Sequence, residues 1–252
     1  MSEAPPPSTP PGTVAVLIPA AGAGLRMGSE GAKALRKLAG RPLIVHTVAV
    51  FAGLAAVDEI RVIARPQDFA ALDAAFARDR PAALGPWVAG GAERQESVHN
   101  GLLALAPRPP ARVLIHDAAR PLCSRDLATR VLEALEEHAA VVPTLPIYDT
   151  VRRVSSRGGS EDGQVTPRED LRLCQTPQGF HWPVLLRAYA EARAEGRRGT
   201  DCAALVQACG IRPAWIAGER RNVKLTTAED LPFAEWALAH PDWGRAAPQA
   251  EP

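Results

Sequence analysis

VAVLIPAAGAGLRM, residues 14–27, decides the fold. An apolar strand pattern runs straight into a loop of Ala and Gly that carries one arginine, Arg26, and Lys33 follows shortly after. A loop without bulky side chains lets backbone N–H groups approach a phosphate chain closely. The guanidinium and the ammonium then neutralise a polyanion from one side. That combination points to a nucleoside triphosphate site.

Outward from this stretch, apolar runs alternate with helical-period segments, the pattern of a parallel sheet covered on both faces. Strands are expected at 14–19, 59–64, 87–89, 112–116, 139–143 and 213–216. Helices are expected at 42–53, 67–78, 94–106, 124–138, 183–195, 201–208 and 227–239, with Pro42 opening the first and Ser124 capping the fourth. The alternation breaks where short β-like pieces at 150–154 and 164–166 flank the turn-rich SSRGGSEDG, which predicts a projecting β-hairpin arm over about 147–172. The expected fold class is α/β, a mostly parallel sheet with helices on both faces and that arm. A single domain is expected over 13–240, between a disordered Pro-rich tail at 1–12 and a flexible tail at 241–252.

With 46% hydrophobic residues among 252, the chain can bury a substantial core. Its 29 Lys and Arg nearly cancel 28 Asp and Glu, leaving +1, so there is no broad field for nucleic acid or anionic membranes and no such partner is expected. Any anion must be met by local cation clusters. The cysteines Cys123, Cys174, Cys202 and Cys209 show no metal-ligand spacing and read as reduced thiols in the cytoplasm. No stretch is long and apolar enough to span a membrane, and the N-terminus lacks the apolar region of a signal peptide.

In this topology ligands sit at the C-terminal ends of the strands, and polar clusters fall there. AAGAGLRMG is not a GxGxxG fingerprint, because Met27 stands at the third glycine, and no acidic residue ends the second strand. It is not a Walker A loop either. HDAARP, residues 116–121, places Asp117 for metal-water or ribose contact and Arg120 for a second phosphate, although a capping Asp and a surface Arg would look the same. Gly90 and Gly91 open a helix ahead of Ala92, Glu93, Arg94 and Ser97, as a base-recognising loop or an ordinary turn. Asp149-Thr150, Arg168, Thr176-Pro177-Gln178, Thr200-Asp201 and Asn222-Val223-Lys224 complete the set, each bland alone.

Together, PAAGxGxRM with its following Lys, GGxER…S, HDAARP, DT, TPQ, TD and NxK, in this order, resemble the 2-C-methyl-D-erythritol 4-phosphate cytidylyltransferases over residues 14–236. The resemblance implies a Rossmann-like fold, a β-arm swapped across a homodimer, and Mg²⁺-dependent use of CTP. It implies attack of the 4-phosphate of methylerythritol phosphate on the α-phosphorus. By matching position, Arg26 and Lys33 should stabilise the pentavalent phosphorus, while Lys224 and the other subunit's Arg168 hold the attacking phosphate. Pro19, Ala20, Ala21, Gly22, Ala23, Gly24, Gly91, Ala92, Ser97, Asp117 and Ala118 should line the nucleotide pocket. Asp117, Arg120, Thr150, Thr176 and Thr200 should line the sugar-phosphate side, and Asp117 is the one candidate metal ligand.

The pattern departs from the family at several positions. The usual Pro-Lys-Gln is Ala32-Lys33-Ala34, and acidic residues often found at two further positions are Ala92 and Cys202. The first change keeps the cation but is expected to loosen its loop. Ribitol 5-phosphate cytidylyltransferases share most of these motifs, and other sugar nucleotidyltransferases or a non-catalytic nucleotide-binding module stand as further readings. Intact Arg26, Lys33, Arg168 and Lys224 favour a working enzyme.

Overall fold

A computed structural model describes residues 12–22, 32–154 and 163–244. The elements run β1 (Val14–Pro19), β2 (Lys37–Leu38), β3 (Arg41–Pro42), α1 (Leu43–Ala52), β4 (Val57–Ala64), α2 (Phe69–Phe76) and β5 (Val88–Ala89). They continue with α3 (Arg94–Leu105), β6 (Arg112–Ile115), α4 (Arg125–Ala134), β7 (Ala140–Pro146), β8 (Val151–Arg153) and β9 (Gln164–Thr166). The last are β10 (Arg172–Cys174), β11 (Gln178–His181), α5 (Trp182–Ala194), α6 (Cys202–Ala208), β12 (Ala214–Ala217) and α7 (Asp230–Ala239).

The layering follows from the alternation of side chains along β1. Val14, Val16 and Ile18 pack in one core with Val48 and Phe51 of α1 and Val131 of α4. Ala15 and Leu17 face the other way, into a second core with Leu102 of α3, Leu185 of α5 and Leu205 of α6. A strand covered on both faces must be apolar at successive positions, which is why VAVLIP reads as an unbroken run. β1 lies centrally, parallel to β4 on one side and β6 on the other.

The sheet runs β10-β7-β11-β6-β1-β4-β5, with β12 also paired to β7. β12 runs parallel along β7, whereas β10 and β11 pair with β7 antiparallel, one after the other. β11 also pairs antiparallel with β6. These two strands, and the small β2–β3 ladder, are absent from the sequence reading: none is longer than four residues, too short for a period to show. The sheet is therefore mostly parallel, as expected, with an antiparallel insertion that the sequence pattern does not announce. β8 and β9 form a separate antiparallel ladder in which Arg152 faces Val165.

Helix ends follow their caps. Ser124 Oγ accepts the Leu127 N–H at 2.9 Å, the expected N-cap of α4. α7 starts at Asp230 rather than 227, because the Asp230 carboxylate takes the backbone N–H of Thr227 at 2.9 Å and so holds the preceding turn. Past α7, Arg221 donates to the Pro241 carbonyl and Trp243 packs against a small third core. Residues 1–11 of the expected Pro-rich tail at 1–12, the arm tip at 155–162, and residues 245–252 of the expected C-terminal tail lie outside the described residues. Among the described residues no helix is long and apolar enough to cross a membrane.

Candidate active site

The C-terminal ends of β1, β5 and β6 open onto one cleft, lined by residues 19–22, 91–94 and 117–119 together with Lys33, Ser97 and Lys224. The Ala20 N–H donates to the Ile63 carbonyl at 2.7 Å and carries the β1 register past the strand. Lys33 opens a 3-10 turn over Lys33–Leu35. Ala32 and Ala34 beside it are 6% and 5% exposed, so both flanks of the lysine are buried. Arg26, Ala23 and Gly24 lie outside the described residues.

The second wall is the turn after β5. A Cβ on Gly90 would stand 2.4 Å from Ala21 Cβ, so only glycine lets this turn approach the β1 loop. Inside the turn, Ser97 Oγ accepts the Gly91 N–H at 3.0 Å and Glu96 Oε2 accepts the Ala92 N–H at 2.7 Å. The two amides are thus already occupied, and a base that reads them must displace those side chains. The Ala92 side chain is exposed and carries no polar atom, so among the residues of this turn a carboxylate comes from Glu93 or Glu96.

HDAARP supplies the centre. His116 is fully buried, and burial pushes its pKa down to about 4, which keeps the ring neutral near neutral pH. The Asp117 N–H donates to Thr176 Oγ1 at 3.1 Å, and that hydroxyl lies 3.1 Å from His116 Nδ1. His116 Nε2 in turn lies 3.1 Å from the Arg120 carbonyl. A carbonyl only accepts, so the proton belongs on Nε2 and the Thr176 hydroxyl donates to Nδ1. Thr176, expected against substrate, is buried and holds the Asp117 backbone.

Asp117 gathers the cations. Its Oδ2 lies 2.8 Å from Lys224 Nζ and 3.6 Å from Arg120 Nε, and its Oδ1 lies 3.2 Å from Arg94 Nη2. Burial alone would raise the pKa of this carboxyl; Arg94, then Lys224 and Arg120, outweigh that and hold it far below the ordinary range. One carboxylate against three cations leaves a net positive centre, suited to an incoming phosphate. Among the described residues no group of three His, Cys, Asp or Glu could hold a metal. The donors fit magnesium only as an ion kept mostly on phosphate and water oxygens, with Asp117 as a single protein ligand.

Arg94 carries no assigned role in the sequence reading. A cation at the first position of a helix opposes the helix dipole, and that is the signal which marks it for a counter-charge. Its Nη1 also lies 3.7 Å from Cys202 Sγ, and Tyr189 Oη lies 3.2 Å from the same sulfur. Burial pushes the Cys202 thiol up, so it is neutral and Asp117 alone balances Arg94. Arg120, 9% exposed, donates to the Asn222 carbonyl at 2.6 Å and so braces the Lys224 loop as well as Asp117.

Five of the expected residues among those described do not line the cleft of their own chain: Arg120 and Thr176, buried behind Asp117, and Arg168, Thr150 and Thr200. Arg168, just past β9, donates to the Tyr148 carbonyl and stands 3.9 Å from Glu169. Thr150 is exposed at the start of the β8–β9 ladder. Thr200 is exposed beside Asp201, which caps α6 by accepting the Ala204 N–H at 2.8 Å.

Comparison with known proteins places these features in context. The family model described as 2-C-methyl-D-erythritol 4-phosphate cytidylyltransferase, IspD, matches residues 14–240. A Thermus thermophilus protein bearing that name is 44% identical over 227 residues, covering 90% of this chain and 97% of its own. A bifunctional IspD/IspF enzyme of Rhodopseudomonas palustris is 41% identical over 229 residues, 89% of this chain. The chain spans only 56% of that relative's length. Among solved structures, a 4-diphosphocytidyl-2C-methyl-D-erythritol synthase from Anaerococcus prevotii superposes with a TM-score of 0.77 at 28% identity, covering 90% of this chain and 96% of the other. The Thermus thermophilus enzyme's structure superposes at 0.72 with 40% identity, over 90% of this chain and 99% of its own.

Proposed function

Because the chain belongs to the 2-C-methyl-D-erythritol 4-phosphate cytidylyltransferase family, we propose that it transfers CMP from CTP to 2-C-methyl-D-erythritol 4-phosphate and releases pyrophosphate. The observation that carries this reading is the convergence of Lys33, Lys224 and Arg94 on a cleft floored by the β1 loop. An oxygen of the acceptor phosphate forms a bond to the α-phosphorus as the bond from that phosphorus to the β-phosphate bridging oxygen breaks. The acceptor oxygen is already anionic, so no general base is needed. The obstacle is bringing two anions together while charge moves onto pyrophosphate, and cations aimed at that charge lower it.

Lys33, with Arg26, faces the triphosphate in this reading, and Lys224 meets the acceptor phosphate. Asp117 keeps Lys224 and Arg94 oriented before the anions arrive. Asp117 would be the protein ligand of a magnesium ion bound with the nucleotide, and that ion would supply further neutralisation of phosphate charge. The active form in this proposal is a homodimer whose β8–β9 arm brings Arg168 and Thr150 to the neighbouring site, beside Thr200. Support comes from the apolar side chains exposed on and around the arm: Tyr148 at 64%, Val154 at 62%, Val165 at 53% and Leu173 at 53%. The buried thiols Cys123 and Cys202 are consistent with work in the reducing cytoplasm.

Pyrophosphate release from each of the four nucleoside triphosphates, with methylerythritol phosphate or ribitol 5-phosphate as acceptor, tests the reading. Turnover is expected only with CTP and methylerythritol phosphate. Preference for ribitol 5-phosphate or for another nucleotide would overturn it.

A further inference from the structure

We propose that Gln175 is a positioning residue for Lys224, clamping the loop that carries the lysine to the root of the β8–β9 arm. Gln175 follows β10 directly and is 4% exposed, away from the cleft lining. Its amide spends all its capacity on one turn. Nε2 donates to the Glu219 carbonyl at 2.9 Å and the Asn222 carbonyl at 3.3 Å. Oε1 accepts the Glu219 N–H at 3.0 Å and lies 3.4 Å from Asn222 Nδ2.

The turn is fitted around that amide. A Cβ on Gly218 would stand 2.5 Å from Gln175 Oε1. Asn222, itself fully buried, donates on to the Thr176 carbonyl at 2.7 Å. Buried backbone groups of a turn need partners, and here they come from a side chain on another segment. Lys224 lies two residues beyond Asn222, so the clamp sets where its ammonium meets Asp117. The Gln175 backbone N–H also bonds to the Pro143 carbonyl at 2.8 Å, which ties the same point to β7. The arm root and the lysine loop therefore move as one body.

The test uses Gln175→Met, which keeps volume and removes the amide, and Gly218→Ala, which keeps the amide and displaces it while also crowding the Thr144 carbonyl at 3.0 Å. Amide hydrogen exchange across 218–225 is expected to accelerate by about tenfold or more in both, with β1 and β4 unchanged. CTP affinity without acceptor should stay within about twofold, while kcat falls by about tenfold and the acceptor KM rises. Wild-type exchange across 218–225 in a folded variant would overturn the proposal, and so would a parallel loss of CTP affinity and turnover. The kinetic arm rests on the transfer reaction proposed above, but the exchange arm does not. Wild-type enzyme inert toward methylerythritol phosphate would refute that reaction alone, with exchange still deciding the clamp.

Discussion

Lys224 Nζ lies 2.8 Å from Asp117 Oδ2, while the other oxygen of the same carboxylate faces Arg94 at 3.2 Å. A single buried anion thereby orders cations from the start of α3 and from the loop before α7. Their positions are set before any phosphate arrives, which is where pre-organised electrostatics gains over water.

Asp117→Asn leaves the buried Arg120, and the partly exposed Arg94, without the carboxylate they share. Stability should fall by about 3–5 kcal/mol, the usual cost of breaking a buried pair. Nucleotide binding should hold or tighten, since the freed cations attract anions, while turnover drops. Denaturant unfolding and CTP titration check this; a loss below about 1 kcal/mol contradicts the hub.

Lys33→Ala should abolish most turnover and leave folding intact, because the side chain lines the cleft rather than the core. Losing one donor to transition-state charge typically costs on the order of 10²–10³ in rate. Pyrophosphate release near the wild-type rate would refute the role.

Arg168→Ala and Lys33→Ala subunits, each inactive, should complement when mixed. Random exchange makes half the dimers mixed with one intact site each, so about a quarter of wild-type activity should return. Mixed dimers that stay dead after confirmed exchange would remove the swapped arm.

His116 gives a pH signature. Burial lowers its pKa from 6.5 to about 4, so the neutral ring stabilises the fold fully above 6.5. As pH falls from 6.5 toward 4 the unfolded chain takes up a proton that the folded ring refuses, and a stabilisation on the order of 3 kcal/mol drains away. The unfolded Asp117 carboxyl takes up protons from about pH 5 downward while the folded one stays ionised, so its own contribution starts to drain only at the acid end of that window and is lost mainly below it. His46 and His99, also shifted down by burial, act in the same direction. Unfolding free energies at pH 7 and 4.5 should therefore differ less in His116→Gln than in wild type; equal differences would sink the assignment.

The strand VAVLIP, the Ser124 cap and the Gly90-Gly91 turn were legible because each rests on a local rule: side-chain period, a hydroxyl accepting an N–H, a missing Cβ. Lys33, Gly91, Ser97, Asp117 and Lys224 were legible as a set of motifs, and they line one cleft. Gln175 was not, since a lone Gln carries no pattern, and Arg94 stood within GGxER without any sign that it would pair with Asp117.

What the sequence determined by itself is the alternation of buried strands with amphipathic helices, and hence the edge of the sheet at which polar loops collect. Tertiary structure alone decided that β11 would insert antiparallel between β6 and β7, that Asp117 would sit among three cations, and that Arg120 would reach a carbonyl 102 positions away. The physical reason is range. Period and capping act within a few residues, whereas charge pairing and amide clamps arise only after strand order has brought distant loops together.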